Sequence, residues 1–286
     1  MSSPLGLDPA HVQRVVAAAL AEDVGPGDVT TLSTIPATAR CTAQLNSRVE
    51  GTVAGLPVAM EAFRQLDPSV QIEEHKHDGD AVQPGDTLLT IRGAARAVLT
   101  AERVALNFVQ RMSGTATATA RYVAAVKGTK ATIIDTRKTT PGLRQLEKYA
   151  VRAGGGQNHR FGLFDGILIK DNHIAAAPDG VGGAILAARR GAPHSLRVEV
   201  ETESLDQVRE ALEAGADAIL LDNMNVGDLR AAVEVIGGRA VAEASGGITL
   251  ETVRAVAETG VDLISVGALT HSAPSLDLGL DFSLEA

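Results

Sequence analysis

The sequence predicts an α/β protein whose C-terminal half is a parallel sheet or barrel. Three observations carry that expectation. Apolar residues make up 45% of the 286-residue chain but aromatics only 2%, with no Trp, so the core must be built from Ala, Val, Leu and Ile. Together with 29 Gly, this favours helices and strands joined by tight turns. Finally, short aliphatic runs recur after residue 130, each followed by a polar residue and a helix-like stretch. Ile169, Val198, Leu220, Val241 and Ile264 mark five of them, spaced 29, 22, 21 and 23 residues apart, which is the period of β/α units. The length allows one large domain or two ordinary ones.

The elements follow in order. Residues 8–22 read as a helix, with Asp8 as N-cap, Pro9 at the first position, and Val12, Val15, Val16 and Leu20 at helical spacing. Residues 41–56 and 70–92 read as strands with Gly and Pro turns. Within the second stretch, the segment from Asp78 to Leu89 resembles the turn-strand pattern of biotinyl/lipoyl-type sandwiches. It lacks the Lys that a prosthetic group needs at a hairpin tip, so it is read as structural. His75 and His77 look like a metal pair beside Glu73, but a solvated strand face is the better reading. Residues 96–126 read as helical through Val98, Leu99, Val104, Leu106, Val109 and Met112, with a break expected near Ser113-Gly114. Cys41, the single cysteine, rules out an intrachain disulfide and any Cys-based metal site and is read as inert.

Six strands are expected at 131–134, 166–169, 196–200, 218–221, 239–242 and 262–266. Helices at 204–214 and 250–259 start near Ser or Thr and stop at Gly215 and Gly260, as capping requires. The polar residues fall at one end of these strands: Asp135, Arg137 and Lys138, then Lys170 and Asp171, Glu199 and Glu201, Asp222, Glu243 and Ser245, and Gly267. In a β/α barrel those ends converge on the mouth that holds the active site. In the run Arg197 to Glu201 the period of two puts both Glu on one face and both Val on the other. The Val face meets the helices, so the acids point inward, where a carboxylate needs a cation, a metal or a polyol.

From Arg137 to His173 seven Lys and Arg stand against three acids, in a chain of formal net charge −9. Such a concentration suits a small, multiply anionic molecule, whereas a nucleic-acid surface needs broad basic coverage. Few aromatics also argue against base-stacking platforms. Arg137, His159, Arg160 and Lys170 form the cationic side, Arg being a bidentate clamp and Lys a point charge. Gly154-Gly-Gly156 before Asn158-His159-Arg160 suggests backbone approaching a ligand. Glu199, Glu201, Asp222 and Glu243 form an acidic side suited to ribose hydroxyls or Mg²⁺, the alternative being structural partners for Lys138 and Lys170. Gly-rich turns at Ser245-Gly246-Gly247 and Val266-Gly267-Ala268, after the last two strands, match the usual phosphate cradle of a barrel. Arg144, Lys148 and Arg152 fall at spacing four on a helix, as a solvated or subunit-facing stripe would.

No 18-residue apolar run is present, so no transmembrane helix is expected. The segment MSSPLGLDPAHVQRVV lacks a basic region followed by an apolar one, so no signal peptide is expected and a cytoplasmic protein is the default.

The motifs TRKTTP (136–141), GGGQNHR (154–160), GL (162–163), LIKDNH (168–173), LDN (221–223) and SGG (245–247) closely resemble the quinolinate phosphoribosyltransferase family, with Glu102-Arg103 and Ser113-Gly114 in support. The resemblance covers essentially the whole chain. It implies an N-terminal α/β sandwich domain, residues 1–113, with the tail 272–286 packing back on it. It also implies an open, incomplete β/α barrel catalytic domain over 114–271, and a homodimer with the active site shared across the interface. The implied reaction joins quinolinate to phosphoribosyl pyrophosphate (PRPP) with Mg²⁺, giving nicotinate mononucleotide, CO₂ and pyrophosphate in de novo NAD synthesis.

Carried over residue by residue, the resemblance implies that Arg137, His159, Arg160 and Lys170 hold the two carboxylates, with Arg103 supplied by the partner subunit. Thr136 joins the substrate site and Lys138 lies near the pyrophosphate. Glu199 and Asp222 meet the ribose hydroxyls and the Mg²⁺ that PRPP and waters bring. Ser245, Gly246, Gly247, Gly267, Ala268 and His271 bind the 5′-phosphate. Lys138, Lys170, Glu199 and Asp222 are the expected catalytic set. The general acid that protonates C2 is left unassigned. Other readings are a family paralogue acting on another aromatic acid or base, a Schiff-base aldolase on Lys170, and a non-catalytic phosphometabolite-binding barrel.

Overall fold

The structure, a computed structural model, describes residues 6–284. The expectation about a leader segment rests partly on residues 1–5, which lie outside the described residues. The chain begins with α1 (Pro9–Val24), α2 (Val29–Thr34), β1 (Arg40–Ser47), β2 (Gly51–Thr52) and α3 (Leu56–Leu66). Next come β3 (Gln71–Glu74), β4 (Ala81–Val82), β5 (Thr87–Ala94) and the long α4 (Ala95–Ala125). Then follow β6 (Thr132–Ile134), α5 (Arg144–Ala153), β7 (Ile167–Ile169), α6 (Asp171–Ala176), α7 (Gly180–Gly191), β8 (Val198–Thr202) and α8 (Leu205–Glu213). The last elements are β9 (Ala218–Asp222), α9 (Val226–Ile236), β10 (Val241–Ser245), α10 (Val253–Ala257), β11 (Leu263–Ser265), α11 (Ala268–His271) and β12 (Leu278–Leu284). Among the described residues, no helix is long and apolar enough to cross a membrane.

Two compact units divide the chain. The first takes residues 1–120, 140–155 and 272–286; the second takes 121–139 and 156–271. In the first, β1 is central to an antiparallel sheet of order β12-β1-β5-β3. The tail thus returns as an edge strand on β1, with Leu45 opposite Leu280. Val16, Leu45, Leu56, Ile91, Val109, Tyr149 and Leu278 belong to its apolar core. Asp8 caps α1 as expected, its carboxylate accepting from the Ala10 N–H. Gly55 cannot cap α3 with a side chain, and Asp78 does so from a distance, accepting from Gly55 N at 2.9 Å and Leu56 N at 3.0 Å. Tyr149 donates its hydroxyl to the same carboxylate at 2.6 Å. Burial pushes the Asp78 carboxyl up, and these donors pull against it. The Asp78 turn is therefore a structural device.

Several expectations for this unit are corrected. The strands expected over 70–92 form as β3, β4 and β5, whereas those expected over 41–56 are β1 and the two-residue β2, with α3 starting at Leu56. No break occurs at Ser113-Gly114, and α4 runs straight through. The buried Ser113 hydroxyl accepts from Ala54 N and donates to Ala54 O, which satisfies it inside the helix. Gly114 is needed because a Cβ there would overlap the Pro274 carbonyl oxygen. The expected solvated face at His75 and His77 needs no correction, since both are exposed, His75 pairing with Thr90 Oγ1 at 2.8 Å and His77 with Glu74 at 3.1 Å. Lys148 is fully buried, so the Arg144/Lys148/Arg152 spacing does not mark a solvated stripe. Its neighbour Glu147 is also buried, accepting from Thr140 N at 3.0 Å and lying 3.3 Å from Arg111.

The second unit is the expected parallel sheet. All six strands form, in order β6-β11-β10-β9-β8-β7, and β6 and β7 end as edges, so the barrel is open. Strand register is parallel throughout, for example Ser245 beside Asp222 and Leu168 beside Glu199. Ser204 caps α8 through the Gln207 N–H, and Gly215 follows at φ +80°. The helix expected at 250–259 is shorter. Thr252 Oγ1 accepts from Thr249 N in a turn, and α10 starts only at Val253.

Candidate active site

The C-terminal ends of the parallel strands surround a cavity of about 550 Å³ whose lining comes wholly from the second unit. Thr136, Arg137 and Lys138 reach it from the end of β6, His159 and Arg160 from the loop before β7, and Lys170 from the end of β7. Asp222 arrives on β9, and Ser245, Gly246 and Gly247 follow β10. Ten of the expected site residues thus converge on one space.

The cationic wall is built on a buried acid. Asp135 is inaccessible and accepts from Asn158 Nδ2 at 2.6 Å and His159 N at 2.9 Å. Gln157 pairs with the backbone of Ile133 and Asp135, so the loop is stitched to β6 on both sides. Arg160 donates its backbone N–H to His159 Nδ1 at 2.7 Å and one guanidinium N–H to Gly166 O at 3.0 Å. Burial, and then the like charge of Arg137, lower the Arg160 pKa, yet a guanidinium remains protonated. Asp165 accepts from the N–H groups of Phe161 and Gly162 and braces the turn that follows.

The acidic wall has two layers. Glu201 lines the cavity and meets Lys170 Nζ at 2.5 Å, with Asp222 alongside on the next strand. Burial raises the Asp222 pKa, Glu201 raises it further, and the Asn223 amide opposes both by donating at 2.7 Å. The more buried layer is Glu199 and Glu243, which are 8% and 1% exposed, although Glu243 still borders the cavity. His159 Nε2 lies 3.1 Å from Glu199 and 3.8 Å from Glu243. Burial, then the charge of Glu199, holds the Glu243 carboxyl well above the usual carboxylate range. Glu199 Oε1 and Glu243 Oε1 are buried with no hydrogen-bond partner within the chain.

The glycine loops also take shape. Gly246 and Gly247 have φ of +97° and +59°, which favours glycine at both. A Cβ on Gly267 would sit 3.1 Å from both Lys138 Cδ and His271 Nε2, so this glycine admits the lysine stem. Thr270 Oγ1 donates to Lys138 O at 2.7 Å and ties α11 to the same segment.

Not every expected residue reaches the cavity wall. Glu199 lies beside His159 and outside the lining, as do Ala268, His271 and Gly267, the last of which stands next to both Lys138 and His271. Arg103 is exposed on α4, in the first unit. Glu201 and Glu243, expected on the acidic side but outside the set carried over from the family resemblance, line the cavity, as do Asn223 and Ser265, which had no expected site role. The period-two argument had already turned Glu201 inward beside Glu199. Asn223 stood only as part of the LDN motif, and Ser265 carries no sequence signal of its own.

Comparison with known proteins gives a consistent result. The family model described as quinolinate phosphoribosyl transferase, N-terminal domain, matches residues 28–113, and its C-terminal domain model matches 115–281. The chain is 49% identical over 267 residues to a probable nicotinate-nucleotide pyrophosphorylase [carboxylating] of Bacillus subtilis, covering 92% of this chain and 90% of that protein. It is 48% identical over 272 residues to the nicotinate-nucleotide pyrophosphorylase [carboxylating] of Mycobacterium leprae, covering 92% and 94%. The crystal structure of NadC from Streptococcus pyogenes superposes with a TM-score of 0.95 at 43% identity, covering 98% of this chain and 99% of that one.

Proposed function

The chain belongs to the quinolinate phosphoribosyltransferase family, and from that premise we propose that it transfers the phosphoribosyl group of PRPP to quinolinate with decarboxylation. The products are nicotinate mononucleotide, CO₂ and pyrophosphate. One observation carries the reading: the cations Arg137, Lys138, His159, Arg160 and Lys170 line a single cavity together with Glu201, Asp222 and the Ser245–Gly247 turn. A dicarboxylate needs the first group and a phosphorylated sugar needs the second.

Arg137 and Arg160 clamp the quinolinate carboxylates with paired N–H donors, and Lys170 adds a point charge. In the dimeric enzyme Arg103 of a second copy completes this clamp. Lys138 meets the pyrophosphate as its bond to C1′ breaks. The ring nitrogen then attacks the electron-poor C1′, and the pyridinium so formed accepts the electron pair when the C2–carboxylate bond breaks. CO₂ leaves, and C2 takes a proton. The protein contributes orientation and charge stabilisation. Glycine-loop N–H groups and Ser245 receive the 5′-phosphate, and Asp222 receives ribose hydroxyls.

Mg²⁺ fits this site at Glu201 and Asp222, which offer hard carboxylate oxygens at the cavity wall. It fits the His159–Glu199–Glu243 trio poorly, because the backbone N–H of Arg160 occupies Nδ1 and leaves Nε2 carrying hydrogen. When bound with PRPP, the ion neutralises pyrophosphate charge.

The decisive experiment mixes PRPP, Mg²⁺ and quinolinate and measures pyrophosphate and CO₂ together. Equimolar release is expected. Equal turnover of nicotinate, which has one carboxylate, would replace quinolinate as the substrate, and no pyrophosphate release with any pyridine acid would point to a binding protein.

A further inference from the structure

Among the described residues only two that are not glycine have a positive φ, Asp179 at +63° and Asn223 at +54°. Asp179 starts α7. Asn223 follows β9 and lines the cavity. An L-residue is strained in this region, Asn less than most, and such strain persists where its surroundings require it. Asn223 is exposed, so core packing does not impose the conformation.

Three contacts engage it. Its backbone N–H donates to Ser245 O at 2.9 Å. Its side-chain Nδ2 donates to Asp222 Oδ2 at 2.7 Å. Its amide oxygen fills the space beside Gly246, where any Cβ would overlap it. The left-handed turn therefore aims one amide at the acid of β9 while the backbone and Oδ1 pack against the glycine turn after β10. Ser245 and Asp222 are already register partners on adjacent strands, and Asn223 extends that pairing past the strand ends into the loops.

We propose that Asn223 is a positioning residue that locks the Ser245–Gly247 turn to the Asp222 carboxylate, fixing the distance between the phosphate and hydroxyl subsites of one sugar phosphate. This rests on the reading of the cavity as a PRPP site. Asn223 needs no bond to substrate for this role. It acts through Asp222 and through the conformation of the turn. A plain turn residue would need only the positive φ, and the amide contacts are what a turn does not require.

Asn223→Gly separates the two roles. Glycine adopts the same φ without strain and lacks the amide. The variant should melt no lower than wild type, because turn strain is relieved. Its affinity for ribose 5-phosphate, measured by calorimetry, should fall by about tenfold, the worth of one hydrogen bond to a charged group. Its affinity for quinolinate should stay within about twofold, since no cationic group has moved. Asn223→Asp keeps the shape and the tolerance for positive φ but turns a donor towards Asp222 into an acceptor, and should bind ribose 5-phosphate more weakly still. Unchanged ribose 5-phosphate binding in Asn223→Gly overturns the proposal. So does a parallel loss of both ligands with a lowered melting temperature, which marks a merely structural residue, and so does a wild type that does not bind ribose 5-phosphate. If that binding depends on Asn223 while PRPP and quinolinate release no pyrophosphate, the coupling stands and the assigned reaction falls.

Discussion

Arg160 donates its backbone N–H to Nδ1 of His159 at 2.7 Å. That bond makes Nδ1 an acceptor, so the ring hydrogen sits on Nε2, 3.1 Å from Glu199. The ligating atoms of His159, Glu199 and Glu243 lie within 4.8 Å of one another, close enough to suggest a metal centre. A metal needs a lone pair on the nitrogen that here carries hydrogen. The trio is instead a largely buried group in which Glu199 and Glu243 hold the His159 ring, with His159 and Glu243 both bordering the cavity.

Glu243 should leave a signature in stability. Its carboxyl is held well above the usual range by burial and by Glu199, so the folded state keeps a proton that the unfolded chain has lost. That contribution is full below the unfolded value of about 4.3 and is lost as pH rises towards the folded value. Glu243→Gln keeps the shape without titrating. Its stability should fall less steeply than wild type above about pH 5, the difference approaching about 1.4 kcal/mol per pH unit for one proton. Denaturation curves collected across that range test this, and parallel pH profiles would remove the claim.

Arg137→Lys keeps the charge and loses the fork. Two parallel N–H bonds to a carboxylate become one, so kcat/KM for quinolinate should drop by about 10- to 100-fold with the fold intact. Kinetics close to wild type would mean that Arg137 does not clamp a carboxylate.

Arg103→Ala tests the proposal that two copies of the chain share each site. Alone it should abolish turnover. Mixed with an inactive Lys138→Ala chain it should recover part of the activity, because one site of each mixed dimer then has every group. No recovery after subunit exchange would place Arg103 outside the site.

Gly114→Ala sets two effects against each other. Alanine favours the interior of α4 by about 1 kcal/mol. Against that, its Cβ overlaps the backbone carbonyl of Pro274, which cannot swing aside as a side-chain end would. Overpacking of about 1–3 kcal/mol should win and leave the variant less stable by chemical denaturation. A stabilised variant would show that the tail yields easily.

Much of this protein is legible without coordinates, for identifiable reasons. All six strands of the parallel sheet follow from aliphatic runs at a regular period, because every strand must present apolar residues to the helices outside. The inward turn of Glu199 and Glu201 follows from the alternation of the strand itself. The cation motif identified the family because its spacing is specific. Where the reading failed, the cause was contact from far along the chain. Ser113-Gly114 looked like a helix break, and only the returning tail shows why a glycine sits there. The spacing of Lys148 suits a solvated or subunit-facing stripe, yet it is fully buried, and its neighbours Leu146, Tyr149 and Ala150 join a core with Val16, Leu45 and Leu278 from distant parts of the chain.

The amino-acid order therefore decides the period, the faces and the chemical inventory, since these depend on backbone geometry and side-chain type within a few residues. Tertiary structure decides which of several similar groups does what. It puts Glu201 on the cavity wall and Glu199 beside His159, fixes the His159 tautomer through Arg160, and ties Asn223 between Asp222 and Ser245. These depend on backbone conformation and on strands and loops meeting in space, where burial and hydrogen-bond geometry give chemically identical side chains different roles.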